Sequence, residues 1–447
     1  MRRCAILIVS FLSSVAAAAD TTAFVNVNVI PMSRERIIEQ QTVIVSDGVI
    51  TAVGNVDEVP LPEGARLVDG TDRFLMPGLA EMHAHVPPVD SDDLERDFAL
   101  FIANGVTTVR GMLGHPSHLR LREALLDGET FGPRLITSGP SLNGRSVSGA
   151  ADAERQVREQ HAAGYDFIKI HPGLDDEEFA AIASTANALD MPFAGHVPVA
   201  VGLKNALASG MASIDHLDGY MAALMPPNYD ASGGFGGFFD VLLAADVEAE
   251  GITDLAEATA DSGTWIVPTE TLVEQLIDEV PASELRSRAE MRYVPAATID
   301  RWVEAKERQS QERGFSKETA AKAIFIRRAL IRELHRSGAG ILLGSDAPQV
   351  FNVPGFSLHR ELELMVAAGL TPFEALRAGT VNVAQFLGLR TGVVEAGREA
   401  DLVMLDSNPL EDISSTRRVH GVMARGNWYS AADIEATLKR FRLNGRD

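Results

Sequence analysis

The sequence predicts an α/β fold: a (β/α)8 TIM-like barrel with a small β-sandwich domain formed from both chain ends. Three observations predict it. Between residues 74 and 389, eight short apolar runs alternate with helix-like stretches. Such alternation implies parallel strands, and eight of them suit a closed barrel. Short alternating strands with tight turns occur at the two ends. No glycine-rich phosphate loop follows the first run, which disfavours a doubly wound open sheet. The 447 residues are 46% hydrophobic, enough for a large core.

Residues 1–19 read as a secretory signal. Arg2 and Arg3 form a basic start, a sixteen-residue apolar stretch follows, and Ala17-Ala18-Ala19 precedes Asp20. The stretch is short for a span of ~20 residues, so a membrane anchor is second choice. The only cysteine, Cys4, would leave with the signal. The mature chain is therefore expected without disulfides and without a membrane span, in a periplasmic or secreted location.

Residues 20–73 contain AFVNVNVI and TVIVSDGVITAVG, the latter two strands joined through Asp47-Gly48, a strong hairpin signal. Similar patterning returns in GVVEAGREADLVMLD and VHGVMARGNWY, so 20–73 and 390–447 are expected to form one composite domain. Residues 74–389 form the predicted barrel. Its strands are expected in FLMPGLAEMHAHV, GVTTVRGML, PRLITSG, YDFIKIH, PFAGHV, ASIDHL, TWIVPTE and GILLGSDAP. Two long connections, 218–264 with its SGGFGGFF segment and the helix-patterned 272–340, read as substrate-binding or lid segments over the barrel mouth, with extra packing an equal alternative for 272–340.

Lys plus Arg is 40 and Asp plus Glu is 62, a net charge of −22. A surface that negative repels phosphate backbones, so nucleic acid is excluded as a natural partner.

Four of the eleven histidines fall where barrel enzymes build their sites. His83 and His85 form an H-x-H pair at the end of the first strand, and period two aims both at one face. His196 ends the fifth strand, His216 the sixth and Asp346 the eighth. Each alone is more often a core or surface residue. Together, four imidazoles and a carboxylate suit a borderline-soft divalent ion such as zinc.

Lys169 ends the fourth strand. Phe167, Lys169 and His171 share the inward face, whereas Ile168 and Ile170 face the helices. An unpaired ammonium inside a barrel is costly, so Lys169 is neutral, paired or modified. Paired, its partner would be Asp346 or Glu81. Modified, its amine would add carbon dioxide and become a carbamate able to bridge two metals.

Pro77 to His85 (PGLAEMHAH), Lys169, His196, His216 and Asp346 together resemble the metal-dependent amidohydrolase superfamily. So do GLTPFEALRAGTVNVAQFLGL (369–389) and the returning GVVEAGREADLVMLDSNPLEDI. The resemblance covers nearly the whole mature chain. It is closest to the imidazolonepropionase-related branch with prolidase-like dipeptidases and ochratoxin-type amidases, whose binuclear members carry the strand-four lysine. Glu81 stands where the family usually has Asp.

The resemblance implies one metal held by His83, His85, carbamylated Lys169 and Asp346, and a second by Lys169, His196 and His216. Asp346 would take the proton of a bridging hydroxide and hand it to the leaving amine. The substrate would be a small amide, a dipeptide or an N-acyl amino acid. The same site could open a lactone, ester or phosphotriester, and a metal-free binding protein is the non-enzymatic alternative. Substrate-contact candidates are Tyr220, His171, His359 and Arg145; His115 also lies near a strand end. Oligomeric state is open, with a homo-oligomer among the options.

Overall fold

The computed structural model describes residues 21–226 and 238–443. The expected signal (1–19) and most of the SGGFGGFF segment lie outside these residues.

Strands from both ends share one eight-stranded sheet. The N-terminal part gives β1 (Thr21–Val29), β2 (Ile38–Ser46), β3 (Val49–Asn55), β4 (Arg66–Asp69) and β5 (Phe74–Pro77). Asp47 (φ +50) and Gly48 (φ +75) make the β2–β3 turn, the pair of positive φ values that a two-residue type I′ hairpin requires. β1 has β2 on one side; on the other, Thr22–Val25 pair with β4 and Asn28–Val29 with β5. The C-terminal strands that complete this sheet follow the barrel in sequence.

The sequence reading began the barrel at residue 74. Instead, Phe74–Pro77 belong to the small sheet, and the chain crosses over at Gly78. A Cβ on Gly78 would stand 2.4 Å from Thr107 Oγ1, so no larger residue fits the crossover.

The parallel strands form a TIM-barrel-like body. β6 (Leu79–Ala84), β7 (Val106–Gly111) and β8 (Arg134–Thr137) make one sheet. β9 (Ile168–Ile170), β10 (Phe193–Gly195), β11 (Ser213–Asp215) and β12 (Trp265–Val267) make another. Single bridges link the two: Ser138 to Phe167, and Leu142 to Ile170.

The eighth apolar run is not a ladder strand. Ile341 bridges to Ile266 of β12, Leu343 O accepts the Met82 amide at 2.9 Å, and Ala347 bridges to Ala84. Its pairing is interrupted because Ala378 O takes the Leu343 amide and Gly379 O takes the Ala80 amide (both 2.9 Å). A helix end is thus wedged between the eighth run and the first strand.

Beyond the barrel, β13 (Leu402–Leu405), β14 (Val419–Ala424) and β15 (Asn427–Ser430) return to the small sheet. Its order is β15-β14-β13-β5-β1-β2-β3. β1 and β15 stand four strands apart, which in a flat sheet is ~19 Å. Phe24 on β1 and Trp428 on β15 nevertheless meet edge to face with ring centroids 4.9 Å apart. The sheet therefore curls over its own core of Phe24, Val43, Ile50, Leu75, Leu402 and Met423.

Helices between the strands carry the signals expected of them. Asp175 and Glu178 form a capping box on helix Asp176–Ala188, as Thr371 and Glu374 do on Pro372–Ala378. The 272–340 connection is helical, ending in Lys317–Arg336, which packs beside the site.

Candidate active site

The strand ends deliver a compact group of buried side chains. His83 comes from β6, where the register on β7 shifts between Glu81 and Ala84. His85 lies one residue past the strand, its amide donating to Ala347 O. Lys169 is the middle residue of β9 and fully buried. His196 follows Gly195, which has φ +130 and lies so close to Ile170 that a Cβ would fall 2.4 Å from its carbonyl oxygen. His216 (φ +62) and Asp346 (φ +61) both adopt left-handed backbone, turning them off the strand line into the mouth.

These residues meet. The His83 and His216 rings are 4.6 Å apart, His196 and His216 4.7 Å, and His83 and His85 5.8 Å. Asp346 Oδ1 lies 3.2 Å from His85 Nε2 and 3.6 Å from His83 Nε2, and its Oδ2 lies 3.9 Å from His216 Nε2. Ligand-type atoms of His83, His85 and Asp346 all fall within 4.8 Å of one another, as do those of His83, Asp215 and His216. Asp346 Oδ1 is buried and makes no well-formed hydrogen bond, although His85 Nε2 lies 3.2 Å from it. Such a buried acceptor facing imidazole nitrogens fits a cation between them.

Lys169 does not pair with Asp346 or Glu81. Its Nζ lies 2.9 Å from Oδ2 of Asp215, the fully buried last residue of β11. Asp215 also lies 3.2 Å from His83 Nδ1 and 3.4 Å from Arg110. Burial pushes its carboxyl upward, but Lys169, His83 and Arg110 outweigh this and hold it well below the usual range. Asp346 is the opposite case. Burial, only partly countered by Lys169, raises it to about 8. Burial also keeps His83 and His216 neutral, with pKa values well below normal, and lowers His85 to about 4. Neutral imidazoles are the form that binds metal.

Further residues fix the rings. His196 Nδ1 is 2.6 Å from Asp218 Oδ2, so the carboxylate accepts its proton and leaves Nε2 free. Thr269 Oγ1 donates to Pro268 O (2.8 Å) and therefore accepts from His216 Nδ1 (2.7 Å), which also frees Nε2. Arg327 donates to His216 O at 2.9 Å. Glu81 is a tie rather than a ligand. It accepts from the amides of His83 (2.9 Å) and Ser345 (2.8 Å), binding the first strand to the eighth run. Burial outweighs those bonds and lifts its pKa to about 7.

Of the expected substrate contacts, His171 joins the group, stacked on His196 at 4.9 Å. Tyr220 is instead buried with its hydroxyl 2.7 Å from Thr259, on a helix behind the site. His359 is buried against Thr416, its Nδ1 3.0 Å from the hydroxyl, and makes no contact with the ligand group. Arg145 lies exposed in the loop after β8, and His115 bonds Ser117 at 2.8 Å. Asp215, Asp218 and Thr269 were not anticipated. The first two flank His216 in SIDHLDG, and strict period two would have marked Ser213 and Asp215 as the inward pair.

Comparisons with known proteins give the family. An ochratoxinase from Aspergillus niger is 23% identical over 405 residues, covering 84% of this chain and 79% of its own. An imidazolonepropionase from a Geobacillus species is 27% identical over 412 residues, covering 84% and 86%. Among solved structures, a bottromycin amidohydrolase is 23% identical, superposes with a TM-score of 0.74, and covers 95% of this chain and 91% of that one. The amidohydrolase family pattern itself matches residues 74–429, from the crossover strand through the eight-run body to the returning sheet. With that match over most of its length, the chain belongs to the amidohydrolase family and is a hydrolase acting on carbon–nitrogen bonds.

Proposed function

We propose that this protein is an exported, binuclear metal-dependent amidohydrolase that cleaves a small amide, of dipeptide or N-acyl amino acid type. The observation that carries the reading is the convergence of buried His83, His216 and Asp346 with half-buried His85, beside buried Lys169, with Asp346 Oδ1 making no well-formed hydrogen bond in their midst. His83, His85 and Asp346 would hold one divalent ion, His196 and His216 a second, and a carbamate on Lys169 would stand between them. Zinc suits this nitrogen and oxygen set. Bound there, the ions supply a hydroxide near neutral pH and polarise the scissile carbonyl.

The chain's own residues do the rest. To become a carbamate, Lys169 Nζ must leave Asp215 and lose one proton to give the free amine, which adds carbon dioxide and loses a second proton to leave the N-carboxylate anion. Asp218 and Thr269 keep Nε2 of His196 and His216 directed into the site. Asp346, which faces the His83, His85 and His216 imidazoles at 3.6, 3.2 and 3.9 Å, is placed to take the proton of the attacking water and return it to the leaving nitrogen, since an amine leaves poorly unless protonated.

The test is a substrate panel. Protein stripped by chelation and reloaded with zinc should regain turnover of dipeptides or N-acyl amino acids that the stripped protein lacks. Turnover confined to lactones, esters or phosphotriesters would overturn the amide reading. Export rests on the Arg2-Arg3 and Ala17–Ala19 pattern. Intact mass of secreted protein should begin at Asp20; full-length protein in the cytosol would refute export.

A further inference from the structure

We propose that Phe239 is a specificity-determining residue: its ring is the apolar wall against which a hydrophobic substrate side chain, next to the scissile bond, is seated. This rests on the metal-dependent amide reading above and adds the substrate class.

Phe239 belongs to a short kinked 3-10 segment, Phe238–Ala245, in the connection after β11. Its ring stacks on the His216 imidazole with centroids 4.5 Å apart and planes 27° apart. Phe238 lies tilted against it, ring centroids 4.0 Å apart, and is 39% exposed. Phe239 is itself half-buried, so part of the ring is left open beside an imidazole of the site.

The backbone shows that this placement is enforced. Phe239 (φ 51, ψ 40) and Asp240 (φ 57, ψ 17) are consecutive non-glycine residues in left-handed conformation. Each is unfavourable and persists only where surrounding structure dictates it. Here Val241 and Ala244 are buried in the main core immediately after the pair. A bulky aromatic is thereby held with one side against the main core and its ring over His216 of the buried polar cluster.

The chemistry of the wall follows. A planar apolar face beside His216 favours aromatic or branched aliphatic groups and excludes water from that side. Amides with a hydrophobic side chain at this position are the class favoured over glycyl ones.

The experiment measures binding of phenylalanine hydroxamate and glycine hydroxamate to the zinc-loaded full chain by calorimetry, for the unaltered protein, Phe239→Ala and Phe239→Leu. The proposal expects the unaltered protein to prefer the phenylalanine compound. Phe239→Ala should lose about ten-fold or more of that affinity while binding the glycine compound as before, with Phe239→Leu between. An unchanged ratio of the two, or an equal loss for both, would overturn the proposal. If neither compound binds the unaltered zinc-loaded protein, the metal-site reading fails, and this one with it. Kinetics of Phe-Ala, Ala-Phe and Gly-Ala dipeptides should show the same selectivity in kcat/KM, lost in Phe239→Ala.

Discussion

Asp215 balances the charge of the site. One buried carboxylate faces Lys169, Arg110 and His83, and no water reaches it. Removing it would leave two buried cations without their counter-ion, the costly way to break a buried pair. In metal-free protein with Lys169 unmodified, Asp215→Ala should therefore lower unfolding stability by about 3–5 kcal/mol in denaturant titration; a change below about 1 kcal/mol would show that the ion pair is not buried as described. Asp97 offers a pH test far from the ligands. It is buried on helix Leu94–Ala103 with Oδ2 unpartnered, and desolvation, offset in part by Arg96, raises its pKa to about 6. The folded state thus holds a proton that the unfolded chain releases near pH 4. That contribution to stability is present below the unfolded value and is lost as pH rises through about 6. A loss of about 1–3 kcal/mol is expected between pH 4 and 6.5. Asp97→Asn should flatten the slope; an identical slope in the variant would contradict the assignment.

At the scale of elements, the site is made by strands that stop early. β9, β10 and β11 are three residues each, and the groups beyond β10 and β11 leave the ladder through positive-φ residues, Gly195 and His216 itself. This explains what was legible in the sequence and what was not. Strand-end positions of His83, His85, Lys169, His196, His216 and Asp346 could be read from apolar runs that stop at polar residues. The partner of Lys169 could not, because a continuing strand cannot send both Asp215 and His216 inward. Only the left-handed turn at His216 does so. Asp218 and Thr269 act through hydrogen bonds between loops, which leave no periodic trace. Tyr220, four residues past His216, is a candidate substrate contact by sequence, but the helix it begins turns its hydroxyl onto Thr259. If Asp218 orients His196, Asp218→Ala should weaken zinc affinity 10–100-fold, read by competition with a chelating dye, with an unchanged circular dichroism spectrum. Affinity within two-fold of the unaltered protein would remove it from that role.

At the scale of the whole molecule, the family's two parts are joined by the chain's own continuity. β5 and β6 are separated by the single residue Gly78, so the curled sheet and the barrel-like body share a seam next to the first ligand strand. Alternating runs made the barrel-like order legible, and Asp47-Gly48 marked the hairpin. The wedge of Ala378–Gly379 beside the eighth run was hidden, because it depends on a contact between segments that only tertiary packing brings together. No helix among the described residues is long and apolar enough to cross a membrane. The same long-range packing gathers residues from 83 to 346 at one rim, and on that gathering the proposed chemistry depends. Metal content by mass spectrometry, on full-length protein and on Lys169→Ala purified alike, tests it most directly. The account predicts about two divalent ions per chain in the former and one or fewer in the latter. Equal content in both proteins would contradict a bridging role for Lys169.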